Sequence, residues 1–145
     1  MRVIRVDVLH DVGNPLVPSI DRGQVEGAFA QGMGWLTMEE HLIGEDGRPR
    51  TLGPSTYKVP SLGDLPEDFR VNLLDKADQP GVIGGSKAVG EPPFMLAISV
   101  ITALRQAIAA FGEVRPVQLS IPATSESILR AIAIQQGRPL DDAPR

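Results

Sequence analysis

The carboxylate with the clearest chemical potential is Glu91, which stands between a glycine-rich segment and two prolines. Residues 81–90 precede it, and Pro92 and Pro93 predict a helix start, because proline is favoured in the first helical turn. The positive end of a helix stabilises a charged carboxylate by about 0.3–1 kcal/mol, so a base could be held at this position. The alternative is an acidic side chain that only caps the helix.

A second candidate site lies on a long helix that the sequence predicts at about residues 20–42. Small residues spaced three or four apart share one side of this helix: Gly23, Gly27, Ala30 and Gly34. Glycine costs a helix about 1 kcal/mol relative to alanine, which favours a close approach by backbone or by a cofactor. Gln24 and Gln31 lie two turns apart beside this stripe and could grip a polar ligand. A glycine-lined helix contact and two solvated glutamines would explain the same residues without a ligand.

The helices and strands expected from the sequence, which must position these residues, indicate an α+β fold. Strands are expected near residues 3–8, 56–59 and 69–74, with a hairpin-like turn at residues 44–47. A last helix should run to about Gln135 and end at Gly137. We expect residues 1–136 to form one domain and residues 137–145 to form a mobile tail.

An apolar helix is predicted at residues 94–111, directly after the proline pair. Hydrophobic residues occupy nearly every side of it, so we expect burial all round within a larger body. Arg105 and Gln106 lie well inside this segment, and a charged group is costly in hydrocarbon. The sequence therefore does not favour a membrane span.

The composition excludes several kinds of site. Fourteen Lys and Arg residues against 18 Asp and Glu residues give a net charge of -4, without a basic cluster for nucleic acid. The chain has no cysteine, which excludes disulfides, zinc–thiolate sites and iron–sulfur ligation within it. His10 and His41 are isolated, and Ala88 after Lys87 rules out a phosphate-binding loop. No secretory signal is recognisable, which favours a cytoplasmic location.

Three segments, taken together, resemble the molybdenum-binding subunit of xanthine dehydrogenases, within the molybdenum hydroxylase family. They are residues 23–32 (GQVEGAFAQG), 53–60 (GPSTYKVP) and 86–93 (SKAVGEPP), which occur in this order in that family. The resemblance extends from about residue 11 to residue 124. It implies the C-terminal portion of a molybdopterin-binding domain, in a subunit several times longer than this chain.

The resemblance also implies roles for individual residues. Glu91 matches the general base at the molybdenum centre, Gln24, Gly90 and Val89 match cofactor-binding positions, and the chain supplies no metal ligand. The implied reaction is hydroxylation of xanthine or hypoxanthine with water-derived oxygen on a molybdenum–molybdopterin cofactor. A 2Fe-2S cluster, FAD and NAD would bind to other modules.

The implied partners are the remainder of the molybdenum subunit, an iron–sulfur/FAD subunit and a purine substrate. We expect a hetero-oligomer, no nucleic acid, no membrane, and no activity in the isolated chain. Aldehyde oxidases are the nearest competing class, although Glu91 followed by two prolines resembles the xanthine dehydrogenase form. The chain could also be an inactive fragment or association module of the same family, or a free-standing anion-binding domain.

Overall fold

The computed structural model describes residues 1–75, 77, 79–112 and 116–139. These residues form an α+β structure, as predicted. Its helices and strands are β1 (Arg5–His10), α1 (Pro18–Thr37), β2 (Asp68–Leu73), α2 (Ile98–Ala109) and α3 (Ser125–Gln135). Short 3-10 helices are present at Leu62–Asp64, Ile83–Gly85 and Pro92–Ala97.

The chain divides into two compact units. The sheet unit comprises Arg2–Gly32 and Pro60–Ala97, and the helical unit comprises Met33–Val59, the described residues from Ile98 onward, and Met1. The candidate residues Gln24, Gln31 and Glu91 all fall in the sheet unit. The sheet unit therefore contains the candidate functional site.

The sheet unit is built on two parallel strands, β1 and β2, with Val8 opposite Val71. Parallel strands need a long crossover, and here it contains the part of α1 that belongs to this unit. The strands and the helix share a core of buried valines: Val8, Val12, Val25 and Val71. Phe29 on α1 adds a ring contact to Phe69 on β2, with centroids 5.3 Å apart. The packing fixes α1 on one face of the sheet.

The opposite face of β1 and β2 carries exposed ion pairs. The Arg5 Nε atom lies 2.6 Å from Asp7 Oδ2, and Arg70 Nη2 lies 2.7 Å from Asp68 Oδ2. Side chains alternate between the two faces of a strand, so charged residues lie on one face and valines on the other. Exposed pairs of this kind contribute little to stability.

The helical unit contains the last helix where the sequence predicts it. The Thr124 side chain accepts a hydrogen bond from the Ser127 backbone N–H at 3.3 Å, and Gly137 follows the helix with a φ of 67°. α3 packs against α2, whose buried residues are Val100, Ile101 and Ile108. The expected mobile tail lies largely at residues 140–145, outside the described residues.

The apolar helix is only partly buried by the described residues of this chain. The helical stretch Pro92–Ala109 begins as a 3-10 helix at the prolines and becomes α-helical at Ile98, but only 28% of it is buried. Burial all round within a larger body stays a prediction, because a helix with apolar residues on every side needs more packing partners than the described residues supply. By length and composition alone, this stretch could cross a membrane.

The strand predicted at residues 56–59 is wrong. The backbone N–H groups of Thr56 and Tyr57 both donate to the Gly53 carbonyl, at 2.9 and 2.8 Å, which closes a turn. Local turn bonds after Gly53 and Pro54 thus override the β propensity of the segment. The turn at residues 44–47 is confirmed, since the Gly44 N–H donates to the Arg48 carbonyl at 2.8 Å.

The predicted strand at residues 69–74 is confirmed as β2, and the first strand lies slightly later than predicted, as β1. α1 begins and ends earlier than residues 20–42. At its end, the Thr37 hydroxyl donates to the Met33 carbonyl at 2.7 Å, and the Met38 and Glu39 N–H groups both turn back to the Gly34 carbonyl. These bonds complete the last turn.

Tyr57 supplies a prediction for the helical unit, because its hydroxyl donates to Glu39 Oε2 at 2.8 Å. This hydrogen bond, followed by desolvation and the Glu39 charge, raises the pKa of Tyr57. Tyr57 is the sole tyrosine of the chain, so an ultraviolet titration of tyrosinate reports on it alone. We expect a midpoint above about 10 in the folded chain and near 10 after unfolding.

The sign of the pH effect follows from the raised pKa. The contribution of this contact to stability is complete below about pH 10 and is lost as the pH rises through the folded-state pKa. Glu39→Gln should lower the folded midpoint, whereas Glu40→Gln, at the exposed neighbouring position, should leave it unchanged. Identical midpoints in the native chain and Glu39→Gln would contradict the assignment.

Candidate active site

The segment before Glu91 is shaped by glycines in the left-handed region. Gly81, Gly84 and Gly85 have φ values of 81°, 65° and 67°, which side-chain-bearing residues rarely adopt. The Gly85 N–H donates to the Val82 carbonyl at 2.9 Å and closes a short 3-10 turn. The chain therefore folds back on itself before it reaches the candidate base.

Residues 84–87 bind to residues 11–14, the segment that joins β1 to α1, and we call this set of contacts the clasp. The Asn14 N–H donates to the Gly85 carbonyl at 2.8 Å, and Asn14 Nδ2 donates to the Gly84 carbonyl at 3.0 Å. The Lys87 N–H donates to the Val12 carbonyl at 2.9 Å. The clasp thus ties the glycine segment to the start of the helix that carries Gln24.

An ion pair between Lys87 Nζ and Asp11 Oδ2 completes the clasp. The other oxygen of Asp11 accepts a hydrogen bond from the Gly13 N–H at 2.9 Å. The Lys87 ammonium, then the Gly13 N–H, hold the pKa of Asp11 below its usual range. An ideal Cβ on Gly13 would lie 2.4 Å from the Gly85 carbonyl oxygen, so this close approach requires glycine.

A second contact holds the segment after Glu91. Gly32 is buried on α1, and an ideal Cβ there would lie 2.4 Å from the Phe94 carbonyl oxygen and 2.9 Å from Ala97 Cβ. The absence of a side chain at Gly32 therefore lets α1 approach the helix start at Pro92–Ala97. Gly32 therefore allows a close contact between helices, which explains the glycine at this position without a ligand.

Glu91 lies at the start of that helix, as predicted. Its carbonyl accepts a hydrogen bond from the Phe94 N–H at 2.9 Å, which begins the 3-10 turn, and its side chain is exposed. A cavity of about 840 Å³ opens beside the carboxylate. It is lined by Gln31, Ala88, Gly90, Glu91, Pro92, Phe94 and Met95, all in the sheet unit. Small-molecule sites commonly have volumes of about 300–1,000 Å³.

The residues singled out from the sequence occupy one neighbourhood, with one exception. An ideal Cβ on Gly90 would lie 3.4 Å from Gln24 Oε1, so the amide of Gln24 is beside the backbone that leads to Glu91. Gln31 lies on the cavity wall. The Val89 side chain instead packs against the valine core, which leaves only its backbone for a ligand. Their roles in binding and catalysis stay predictions.

Gly23 and Gly27 on α1 make no close packing contact of the kind that Gly32 makes. Ideal Cβ atoms on Gly23 and Gly27 would meet nothing within 4 Å, and both residues are exposed. These two positions leave the face of α1 near Gln24 open to a flat ligand. The residues present therefore fit a pterin group, which needs close backbone approach and amide hydrogen bonds. Among the described residues, no cluster of acidic or histidine side chains could hold a metal ion.

Sequence reasoning missed the apolar wall of the cavity and the side chains of the clasp. Phe94 and Met95 belong to a segment that is apolar on nearly every side, and nothing local distinguishes its cavity-facing residues. Asp11 and Asn14 show turn chemistry in the sequence, but their partners lie about 70 positions away. No local signal identifies such pairs.

Comparison with known proteins defines the class. Residues 1–66 match the family described as the molybdopterin cofactor-binding domain. The fold is similar to quinoline 2-oxidoreductase from Pseudomonas putida 86, with a TM-score of 0.81 and 31% identity. That match covers 95% of this chain and 17% of the solved chain. The fold is thus that of a molybdenum hydroxylase cofactor domain.

Sequence relatives narrow the class. The chain is 46% identical over 139 residues to xanthine dehydrogenase/oxidase of Felis catus, a match covering 91% of this chain. It is 55% identical over 107 residues to xanthine dehydrogenase of Dictyostelium discoideum, a match covering 74% of this chain. The chain belongs to the xanthine dehydrogenase family of molybdopterin-dependent oxidoreductases.

The chain spans about a tenth of the length of these relatives, 10% of the first and 8% of the second. Activity, substrate and partners belong to the longer relatives and are proposals for this chain.

Proposed function

We propose that this chain forms part of a molybdenum hydroxylase that oxidises xanthine or hypoxanthine with water-derived oxygen, and that Glu91 is its general base. The observation that carries the proposal is the position of Glu91, exposed on the wall of the cavity and next in sequence to Gly90, which approaches Gln24. The identity to xanthine dehydrogenases supports the purine substrate.

The molybdenum–molybdopterin cofactor would be held by the Gln24 amide and by the backbone of Val89 and Gly90. When bound, it supplies the two-electron redox chemistry that amino-acid side chains lack. Gly23 and Gly27 leave the helix face open, so a planar ring can approach the backbone of α1. No charged side chain of this neighbourhood is required for that contact.

The chain's own residues can accept a proton and offer an apolar surface to a substrate. The Glu91 carboxylate is not engaged in a described side-chain hydrogen bond and is free to accept a proton from a group in the cavity. Phe94 and Met95 line the same cavity and offer an apolar surface to a flat heterocycle. Gly90 adds no side chain between the base and the cavity. The arrangement suits hydroxylation of an aromatic ring carbon.

Quinoline is a second candidate heterocycle beside purine, because the fold is also similar to quinoline 2-oxidoreductase at 31% identity. The xanthine dehydrogenases are more similar in sequence, at 46–55% identity, so purine is the preferred substrate class. A comparison of kcat/KM for hypoxanthine and quinoline decides between the two. Higher kcat/KM for quinoline would reassign the substrate.

The proposed partners follow from the difference in length between this chain and its longer relatives. We propose that the remainder of the molybdenum subunit covers the exposed apolar residues near the site, which include Met95 and Leu96, at 54% and 38% exposure. Iron–sulfur and FAD modules would carry electrons to NAD in a hetero-oligomer located in the cytoplasm. Without these partners, we expect the isolated chain to lack turnover.

The test is to co-express the chain with a polypeptide that supplies the remaining length of a xanthine dehydrogenase, and to purify the assembly. Gln24→Ala should weaken cofactor retention by about threefold to tenfold, the effect expected for one lost hydrogen bond. Molybdenum content, by mass spectrometry of the metal, and pterin content measure it. Gln106→Ala, an exposed glutamine on α2, is the matched control.

Two outcomes would contradict the proposal. Equal molybdenum content in Gln24→Ala and Gln106→Ala would remove Gln24 from the cofactor site. A metal-loaded assembly with no oxidation of hypoxanthine or xanthine would remove the proposed reaction. A monomeric, cooperatively folded chain that binds simple anions in the absence of partners would favour the free-standing binding domain instead.

A further inference from the structure

We propose that the side chains of Asp11, Asn14 and Lys87 are positioning residues that hold Glu91 at its place in the cavity. This inference rests on the proposed function and extends it, because it assigns a role in catalysis to residues that do not line the cavity. The short segment around Glu91 is held differently at its two ends.

Downstream of Glu91, the chain is fixed by contact with α1. Gly32 lies directly against the Phe94 carbonyl, and the Phe94 N–H donates back to the Glu91 carbonyl at 2.9 Å. The carbonyl end of Glu91 therefore moves with the helix start. Its backbone nitrogen is preceded by Gly90, which is exposed and has no side chain to restrain it.

Upstream of Glu91, the nearest fixed points are Val89, in the valine core, and the clasp at Lys87. Only Ala88 and Gly90 stand between these points and the base, and both are exposed. Because Val89 is only partly buried against that core, a shift of the glycine segment at residues 84–87 can still reach Glu91 through residues 88–90. The clasp opposes such a shift.

The clasp is attached to a rigid support. Val12 is fully buried in the core, Asp11 directly follows β1, and α1 begins at Pro18. The same short stretch therefore fixes the glycine segment and starts the helix that carries Gln24. The clasp sets the position of the base relative to the cofactor-facing helix.

Two layers of contact can be separated within the clasp. Backbone hydrogen bonds from Asn14 to Gly85 and from Lys87 to Val12 keep the segments paired whatever the side chains are. The side chains add the Asp11–Lys87 ion pair and the bond from Asn14 Nδ2 to Gly84. Substitution of the side chains should therefore leave the fold intact while loosening the segment.

The Asp11–Lys87 pair joins positions 76 apart in sequence, whereas Arg5 and Asp7 pair within a single strand at a separation of two. A local pair cannot fix one segment against another. Asp7 is therefore a suitable control for Asp11, since both are paired and substantially exposed. Displacement of a catalytic group by about 1 Å can cost about 10²-fold in rate.

The experiment uses the molybdenum-loaded assembly and compares Asp11→Asn, Lys87→Met, the double variant and Asp7→Asn. We expect Asp11→Asn and Lys87→Met each to lower kcat for hypoxanthine by about tenfold, a partial misplacement on that scale. KM, molybdenum content and the midpoint of thermal unfolding should stay unchanged. The double variant should be no worse than either single variant, because both remove one interaction. Lys87→Arg should restore kcat.

Hydrogen exchange in the same assembly gives a readout that does not depend on turnover. The amides of residues 88–91 should exchange faster in Asp11→Asn than in Asp7→Asn. Unchanged kcat in an active Asp11→Asn assembly would overturn the inference, as would equal exchange in the two variants. If the unsubstituted assembly is inactive, the proposed function fails separately, and the exchange comparison alone decides whether the clasp holds this segment.

Discussion

Replacing Glu91 with glutamine should lower kcat for hypoxanthine by about 10²–10⁴-fold, the usual contribution of a general base. The amide keeps the size of the side chain but accepts a proton far less readily than a carboxylate. Steady-state oxidation by the molybdenum-loaded assembly measures the change. Because Glu91 lies on the exposed wall of the cavity and makes no described side-chain hydrogen bond, folding and molybdenum content should be unaffected.

Two further variants make this result specific to Glu91. Glu91→Ala should lose as much turnover as Glu91→Gln, and it should retain molybdenum. Glu45→Gln removes an exposed acidic residue from the turn at residues 44–47, in the helical unit, and should leave kcat unchanged. Turnover of Glu91→Gln equal to that of Glu45→Gln would exclude Glu91 from the mechanism and leave it as a helix-capping residue.

Substitutions of two glycines on α1 should change stability in opposite directions. Gly32→Ala places a Cβ 2.4 Å from the Phe94 carbonyl oxygen, so the backbone must move, at a cost of about 1–3 kcal/mol. Gly27→Ala meets nothing within 4 Å and removes a helix-breaking residue, for a gain of about 0.5–1 kcal/mol. Urea unfolding, followed through the single tryptophan, Trp35, measures both.

The comparison separates packing from propensity, since both variants make the same chemical change in the same helix. A loss of stability in Gly27→Ala as large as in Gly32→Ala would show that the close approach is not the reason for glycine at position 32. In the metal-loaded assembly, Gly27→Ala should instead affect cofactor retention, because that position faces open space beside Gln24.

The helices and turns could be predicted because their signals are local. Thr124 before the last helix, Gly137 after it and the proline pair at residues 92–93 all act within a few positions. Burial of the apolar helix in a larger body stays a prediction, because it depends on which other segments pack against it. The strand predicted at residues 56–59 was wrong for a different reason, because turn hydrogen bonds at Thr56 and Tyr57 overrode the β propensity of the segment.

The candidate site could be predicted by resemblance rather than by pattern. Gln24 belongs to one motif in the sequence and Gly90 and Glu91 belong to another, and the fold brings the two motifs together in the sheet unit. Val89 is grouped with them by position, but strand and helix packing turn its side chain into the core. The Asp11–Lys87 pair joins positions 76 apart, which no local window of sequence encodes.

The parallel pairing of β1 and β2 also bears on the order in which the protein folds. Arg5 pairs with Asp68, so the two strands join positions 63 apart (68 minus 5). Contacts of such sequence separation form slowly, because a long loop must close before any of them is gained. We therefore expect the groups around Gln24 and Glu91 to come together only after this loop has closed, and a cofactor to bind after that step.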